Sequence, residues 1–154
     1  MTQVADFVRQ QGFSDADSAS CSARYPALTF QPRVVLVIVL AGILTQSANL
    51  FFALSILLSW NALFPRLNPF DHLYPALFSR GSKSVVAPPP RRFAQAFAAV
   101  FMYLIALLLF GGYKLYAWVL EGLLLLALIA LVFANFCLGS LIYHRMRGIL
   151  PKRS

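Results

Sequence analysis

The chain has 154 residues, of which 60% are hydrophobic and only 12% charged. That is one domain's worth of chain, and its charge content falls well below the quarter or so typical of soluble domains, so most of its surface faces something other than water. The formal net charge is +8. In a soluble protein this would suggest nucleic acid, but here the basic residues flank long apolar runs, where they set topology and meet anionic headgroups. Nucleic acid is therefore excluded as a partner, and the lipid bilayer is the expected one.

Residues 1–31 read as a polar N-terminal segment. It carries Asp6, Asp15 and Asp17 and has no basic patch leading into an apolar core, so it does not resemble a signal peptide. Val4, Phe7 and Val8 share a face, which allows either a short helix on the membrane or a partner, or a solvated tail. Residues 21–32, with Cys21 and two prolines, read as an extended lead-in.

No charge occurs from Val34 to Phe64, and the polar patch Thr45-Gln46-Ser47 divides that run. The pattern predicts a hairpin of two short spans, about 32–46 and 48–64. Each is short for a hydrocarbon core of about 30 Å. Asn68-Pro69 has the form of a helix start, an N-cap followed by proline. Phe70, Leu73, Tyr74, Leu77 and Phe78 follow at amphipathic spacing. This predicts an interfacial helix over 66–83, kinked at Pro75, with Arg80 and Lys83 toward headgroups. Pro88-Pro89-Pro90 reads as a stiff extended connection.

The third span is expected over 92–110 and the fourth over 115–143. Gly111-Gly112 makes their turn, and Tyr113, Tyr116 and Trp118 form an aromatic belt. Ala94/Ala98 and Ala130/Ala134 are small-xxx-small pairs of the kind that let helices approach closely in lipid. The expected fold is therefore all-α: an integral membrane bundle of four helices, followed by a basic tail over 145–154. Every Lys and Arg except Lys114 falls on one side of that topology. The positive-inside rule then puts both termini in the cytoplasm. Arg91, Arg92, Arg145 and Arg147 are expected at headgroups with Arg80 and Lys83.

Glu121 is the one acid within the spans. A lone carboxylate in lipid is costly, so it should face the bundle interior, be protonated, or pair with Lys114. It is either a proton or ligand site, which Gln95 would join, or a carboxyl bonded to a neighbouring helix. Cys137, Ser140 and His144 share one face near the end of the last span. Cys137 and His144 lie about 10 Å apart along a straight helix and cannot form a nucleophilic pair there. Cys21 falls on the same side as Cys137, so a pairing is geometrically open, although a stable disulfide is unexpected in a reducing compartment. His72 and His144 both lie outside mid-span, so internal ligation of haem or a similar pigment is not expected. No phosphate loop or metal-ligand cluster is present in the pattern. Bound lipid or quinone remains the cofactor the composition allows.

The segments PPPRRFAQAF (Pro88–Phe97) and NFCLGSLIY (Asn135–Tyr143), with Glu121 upstream, resemble a bacterial membrane family, the domain of unknown function 4395. The resemblance extends over about Gln31 to His144 and implies a helical membrane fold in the bacterial cytoplasmic membrane. Members resembling this chain usually carry a Cys-x-Gly-Cys element, whereas this chain reads Cys137-Leu138-Gly139-Ser140. A dithiol couple needs both sulfurs, so only a monothiol role, with Cys21 or a partner's cysteine, stays open. Three functions fit the sequence. The first is an accessory subunit of a larger respiratory or photosynthetic membrane complex. The second is a thiol-dependent redox or sulfur-handling protein using Cys137. The third is a carrier or quinone- or lipid-binding bundle around Glu121 and Gln95.

Overall fold

The computed structural model describes residues 6–9, 11–12, 18–70, 73, 88–146 and 148. Among them the regular structure is helical. The helices are α1 (Ser18–Thr45), α2 (Ala48–Leu63), α3 (Pro89–Phe110), α4 (Lys114–Phe133) and α5 (Leu138–Met146), with a 3-10 turn at Pro65–Leu67. Helix α2 packs on α3, α3 on α4, α4 on α1 and α1 on α2, which closes a four-helix ring. The short α5 lies against α3.

Three stretches are long and apolar enough to cross a membrane: Leu28–Thr45 within α1, Pro89–Phe110 and Lys114–Phe133. Helix α2 has 16 residues, or about 24 Å of rise, short of a full hydrocarbon core. The interior is apolar and close-packed around Val35, Val39, Phe51, Leu54, Met102, Ile105 and Leu124. The outer surface is apolar as well, with Val37, Leu44, Leu126 and Phe133 all largely exposed. A bundle that is apolar on both faces is a membrane protein.

The α1–α2 hairpin turns at the expected polar patch. Gln46 takes a left-handed backbone (φ 48°). The Ser47 N–H reaches back to Gly42 O (3.2 Å), and the Ser47 side chain caps α2 at Leu50 N. Gly112 (φ 78°) makes the α3–α4 turn in the same manner, with the Tyr113 N–H on Leu108 O at 2.8 Å. Asn68 also acts as expected: its Oδ1 accepts from the Phe70 N–H (3.1 Å). Beyond Phe70 the described residues include Leu73, which is helical and exposed, while His72, Arg80 and Lys83 lie outside them.

Three expectations are corrected. The lead-in over 21–32 is helix rather than extended chain, because α1 starts at Ser18 and carries Pro26 and Pro32 inside it. Each proline removes one backbone donor, and neighbouring side chains make up for such losses in membrane helices. Thr29 Oγ1 donates back to the carbonyls of Tyr25 (3.0 Å) and Pro26 (3.2 Å), which are not the carbonyls that the prolines leave without a helical donor. Pro89 and Pro90 are likewise the first turn of α3 rather than a connection before it, since proline fits positions whose N–H would lack a partner anyway. Finally, the span expected as one helix over 115–143 is two. Helix α4 stops at Phe133, Asn135 takes a left-handed backbone (φ 52°), and α5 starts at Leu138. The run has no glycine or proline at the break, and asparagine is among the few other residues that adopt this conformation readily.

Candidate functional site

The break between α4 and α5 creates the site. Asn135 is held by a hydrogen bond from the Tyr25 hydroxyl to its Oδ1 (2.6 Å), which ties the break to α1. Two residues on, Cys137 occupies the N-cap position of α5, and its carbonyl accepts the Leu141 N–H (3.0 Å). Gly139 lets α5 sit directly on α3: a Cβ there would lie 2.8 Å from both Cα and Cβ of Ala94. The small residue at 94 is thus used inside the chain.

Cys137 is buried. Its sulfur receives the backbone N–H groups of Ser140 and Gly139 and the side chain of Gln11, with the Arg91 guanidinium nearby. Burial pushes the thiol pKa up, and these four donors and charges pull it down without reversing that shift. Ser140 is fully buried at the third position of α5. Gln11 is brought in by the helical turn at residues 6–9, whose Phe7 and Val8 pack with Leu28, Tyr25 and Leu131. Neither alternative expected for this segment, a helix on the membrane or a partner or a solvated tail, describes residues 6–9, which pack on the chain's own helices.

Beside the thiol lies a cavity of about 80 Å³, lined by Gln11, Gln31, Arg91, Gln95 and Cys137 among apolar groups from every helix of the ring. Gln31 Oε1 accepts from Arg91 Nη2 (3.1 Å) and from Gln95 Nε2 (3.0 Å). Gln95 is 8% exposed, and its Oε1 has no partner among the described residues. Buried amide oxygens are normally bonded, so this one marks space for a donor. Asn61, fully buried one turn along α2 from the cavity-lining Leu58, has neither side-chain polar atom bonded among the described residues.

The structure separates Gln95 from Glu121. Glu121 is buried at the far end of the bundle, where its Oε2 accepts from Gln46 Nε2 (3.0 Å). Gln46 also donates to Ile43 O (2.8 Å) and accepts from Trp118 Nε1 (2.8 Å). Fifteen residues of α1 lie between Gln31 and Gln46, about 22 Å of helix, so Gln95 and Glu121 do not form one ligand site. His144 lies near the C-terminal end of α5, almost two turns from Cys137, with its ring against Tyr143 (5.8 Å).

Arg91 and Arg92 depart from the headgroup role expected of them. Arg91 is buried in the cavity wall. Arg92 Nε donates to Ala62 O (2.9 Å) at the C-terminal end of α2, where a cation is favourable. Both sit in the first turn of α3. Arg145 is exposed at the end of α5. Arg147 and the Cys21 side chain lie outside the described residues, while the Cys21 backbone belongs to the first turn of α1. The sequence reading missed Gln11, Gln31 and Asn61. Gln31 and Asn61 had a signal, being amides at the edges of apolar runs.

A family model described as "Domain of unknown function (DUF4395)" matches residues 26–147. The chain belongs to this family. The match spans the helical ring, the break and α5, so the site lies within the family domain apart from its N-terminal cover, Phe7 and Gln11. No curated protein and no solved structure matches the chain.

Proposed function

We propose that this DUF4395 protein is a multi-pass protein of the bacterial cytoplasmic membrane whose working group is the thiol of Cys137. It exchanges sulfur–sulfur bonds with a small substrate at the basic end of the bundle. Four crossings, with α2 as a short one, would place both termini and the thiol on the cytoplasmic side, following the basic residues. The observation that carries the reading is the seat of Cys137: at a helix N-cap, on a cavity with an unsatisfied acceptor. N–H groups at a helix start stabilise a thiolate once solvent or substrate enters. In the exchange, the Cys137 thiolate attacks one sulfur of a disulfide, the S–S bond breaks, and the leaving thiolate takes up a proton. A mixed disulfide on Cys137 remains until another thiol displaces it.

The test is adduct formation from glutathione disulfide on the purified, reduced protein, read by intact mass. An adduct lost in Cys137→Ser and retained in Cys21→Ser supports the proposal. An adduct unaffected by Cys137→Ser overturns it.

A second reading, an accessory subunit of a larger membrane complex, is favoured by one observation. Ala134 is exposed and Ala130 half-exposed on the outer face of α4, a small-residue pair open to a partner helix. Stoichiometric co-purification with a large complex, lost on Ala130→Leu with the thiol chemistry intact, would shift the assignment to it. Bound lipid has a natural place in the outward apolar groove of about 520 Å³ between α2 and α3, which Phe52, Trp60 and Tyr103 line.

A further inference from the structure

We infer that the sulfur held on Cys137 is sulfane sulfur, carried as a persulfide (Cys137–S–SH) in the cavity beside it. The inference rests on the thiol reading above and names its substrate class: low-molecular-weight or protein persulfides as donors.

Three features of the site converge on it. The first is size. A cavity of about 80 Å³ has room for a few heavy atoms, since one water takes about 30 Å³ in the liquid. It is partly open and accepts one extra sulfur beside the thiol. The second is polarity. Gln95 Oε1, buried and without a partner among the described residues, lines the cavity and can accept an S–H proton. The Arg91 charge and the N-terminal end of α5 favour the Cys137 thiolate that makes the attack. The third is the residue three positions on. In a Cys-x-x-Cys arrangement the second thiol would attack the persulfide, forming a disulfide and expelling sulfide. Here that position is Ser140, whose hydroxyl cannot do this. A persulfide on Cys137 therefore survives until an external acceptor arrives.

The step balances without an oxidant. The Cys137 thiolate attacks the terminal sulfur of R–S–SH, the donor's S–S bond breaks, and R–S⁻ leaves and is protonated to R–SH. Cys137–S–SH remains. Transfer to an acceptor thiol repeats the same exchange and regenerates Cys137.

The experiment treats the reduced full-length protein in nanodiscs with glutathione persulfide and, separately, with glutathione disulfide. Adducts are read by intact mass and peptide mapping. The expected result is a gain of one sulfur atom on Cys137 from the persulfide, removable by cyanide as thiocyanate and absent in Cys137→Ser. A glutathione mixed disulfide from both reagents, with no retained sulfur, overturns the persulfide inference and leaves the thiol reading standing. No adduct from either reagent overturns both. Two variants probe the geometry. Ser140→Cys is expected to release the bound sulfur as sulfide in equal amount and to end as an internal disulfide, and retention of the persulfide in that variant contradicts the inference. Gln95→Leu is expected to shorten the persulfide lifetime about fivefold, the worth of one buried hydrogen bond. An unchanged lifetime removes the polar part of the argument and overturns the role given to Gln95.

Discussion

Two polar clusters lie at opposite ends of an otherwise apolar bundle, and they are built for different purposes. At the Lys114 end, Gln46 uses both ends of its amide, bonding Glu121, Trp118 and Ile43 while holding a left-handed turn. It ties the α1–α2 hairpin to α4, and its partners are side chains or carbonyls already needed there. An acceptor is left over among the described residues at each end, Glu121 Oε1 at the first and Gln95 Oε1 at the second, where Gln31, Arg91 and Gln95 bond one another around a cavity beside a thiol. Burying polar groups in lipid is costly in both places. In the first the cost secures a turn, and in the second it maintains a chemically equipped space.

Substitutions should separate the two ends. The largest effect is expected from Gly139→Ala. The new Cβ would meet the Ala94 backbone at 2.8 Å, and backbone cannot swing aside as a side-chain tip can. Overpacking of this kind costs about 1–3 kcal/mol. It should lift α5 from α3 and speed alkylation of Cys137 at neutral pH while leaving the ring helical. Maleimide labelling rates and circular dichroism on the same samples check this, and an unchanged labelling rate would show that α5 does not gate the thiol. Gln46→Ala comes next. It removes the bonds to Glu121 and Trp118 and puts a β-carbon residue with no compensating contacts at positive φ, for a loss of about 2 kcal/mol. Gln46→Gly relieves the backbone and should recover part of that loss. Neither should change adduct formation at Cys137, because the cavity is some two-thirds of a bilayer away.

The same contrast shows which parts of the structure were legible in the sequence. The turn at residues 45–47, the glycine turn at 111–112 and the Asn68 cap were readable because each depends on local chemistry. Spans were readable from hydropathy. The start of α1 was hidden because Pro26 and Pro32 argue against helix locally, and packing against the rest of the bundle is not written in that stretch. The break at Asn135 was hidden for a related reason: LVFANFCLGSLIY keeps helical hydropathy throughout, and the Tyr25 hydrogen bond that fixes the break comes from 110 residues away. Cys137 and Ser140 were expected on one continuous helix and Gln95 beside Glu121, and the fold changes both placements. The meeting of Cys137, Ser140 and Gln95 with Gln31, Arg91 and Gln11 is a product of the fold.

Proton linkage at Cys137 sharpens the comparison further. Burial raises its pKa above the ordinary thiol value, so the folded state binds the thiol proton more tightly than the unfolded chain does. The resulting contribution to stability is complete below the unfolded pKa and falls away as pH climbs from that value toward the raised one. Stability of the wild type against denaturation should therefore fall above about pH 8.5 more steeply than that of Cys137→Ser. Parallel curves for the two proteins would show that the thiol is as solvated in the native site as in the unfolded chain.

The smallest effect concerns the strut between α1 and the break. Tyr25→Phe deletes the hydroxyl that bonds Asn135 Oδ1 at 2.6 Å but keeps the ring, which packs edge-on against Phe7 at 5.8 Å. A loss of about 1 kcal/mol is expected. Asn135→Gly removes the same bond while keeping a residue suited to positive φ, so it should cost about the same. Asn135→Ala adds backbone strain and should cost roughly 1 kcal/mol more. If Tyr25→Phe also raises the Cys137 labelling rate, while Gln46→Ala does not, then the strut and not global stability keeps the thiol covered. Equal labelling in both variants would mean that Cys137 becomes reachable only when the whole bundle opens, and the turn carrying Phe7 and Gln11 would then have no separate role as its cover.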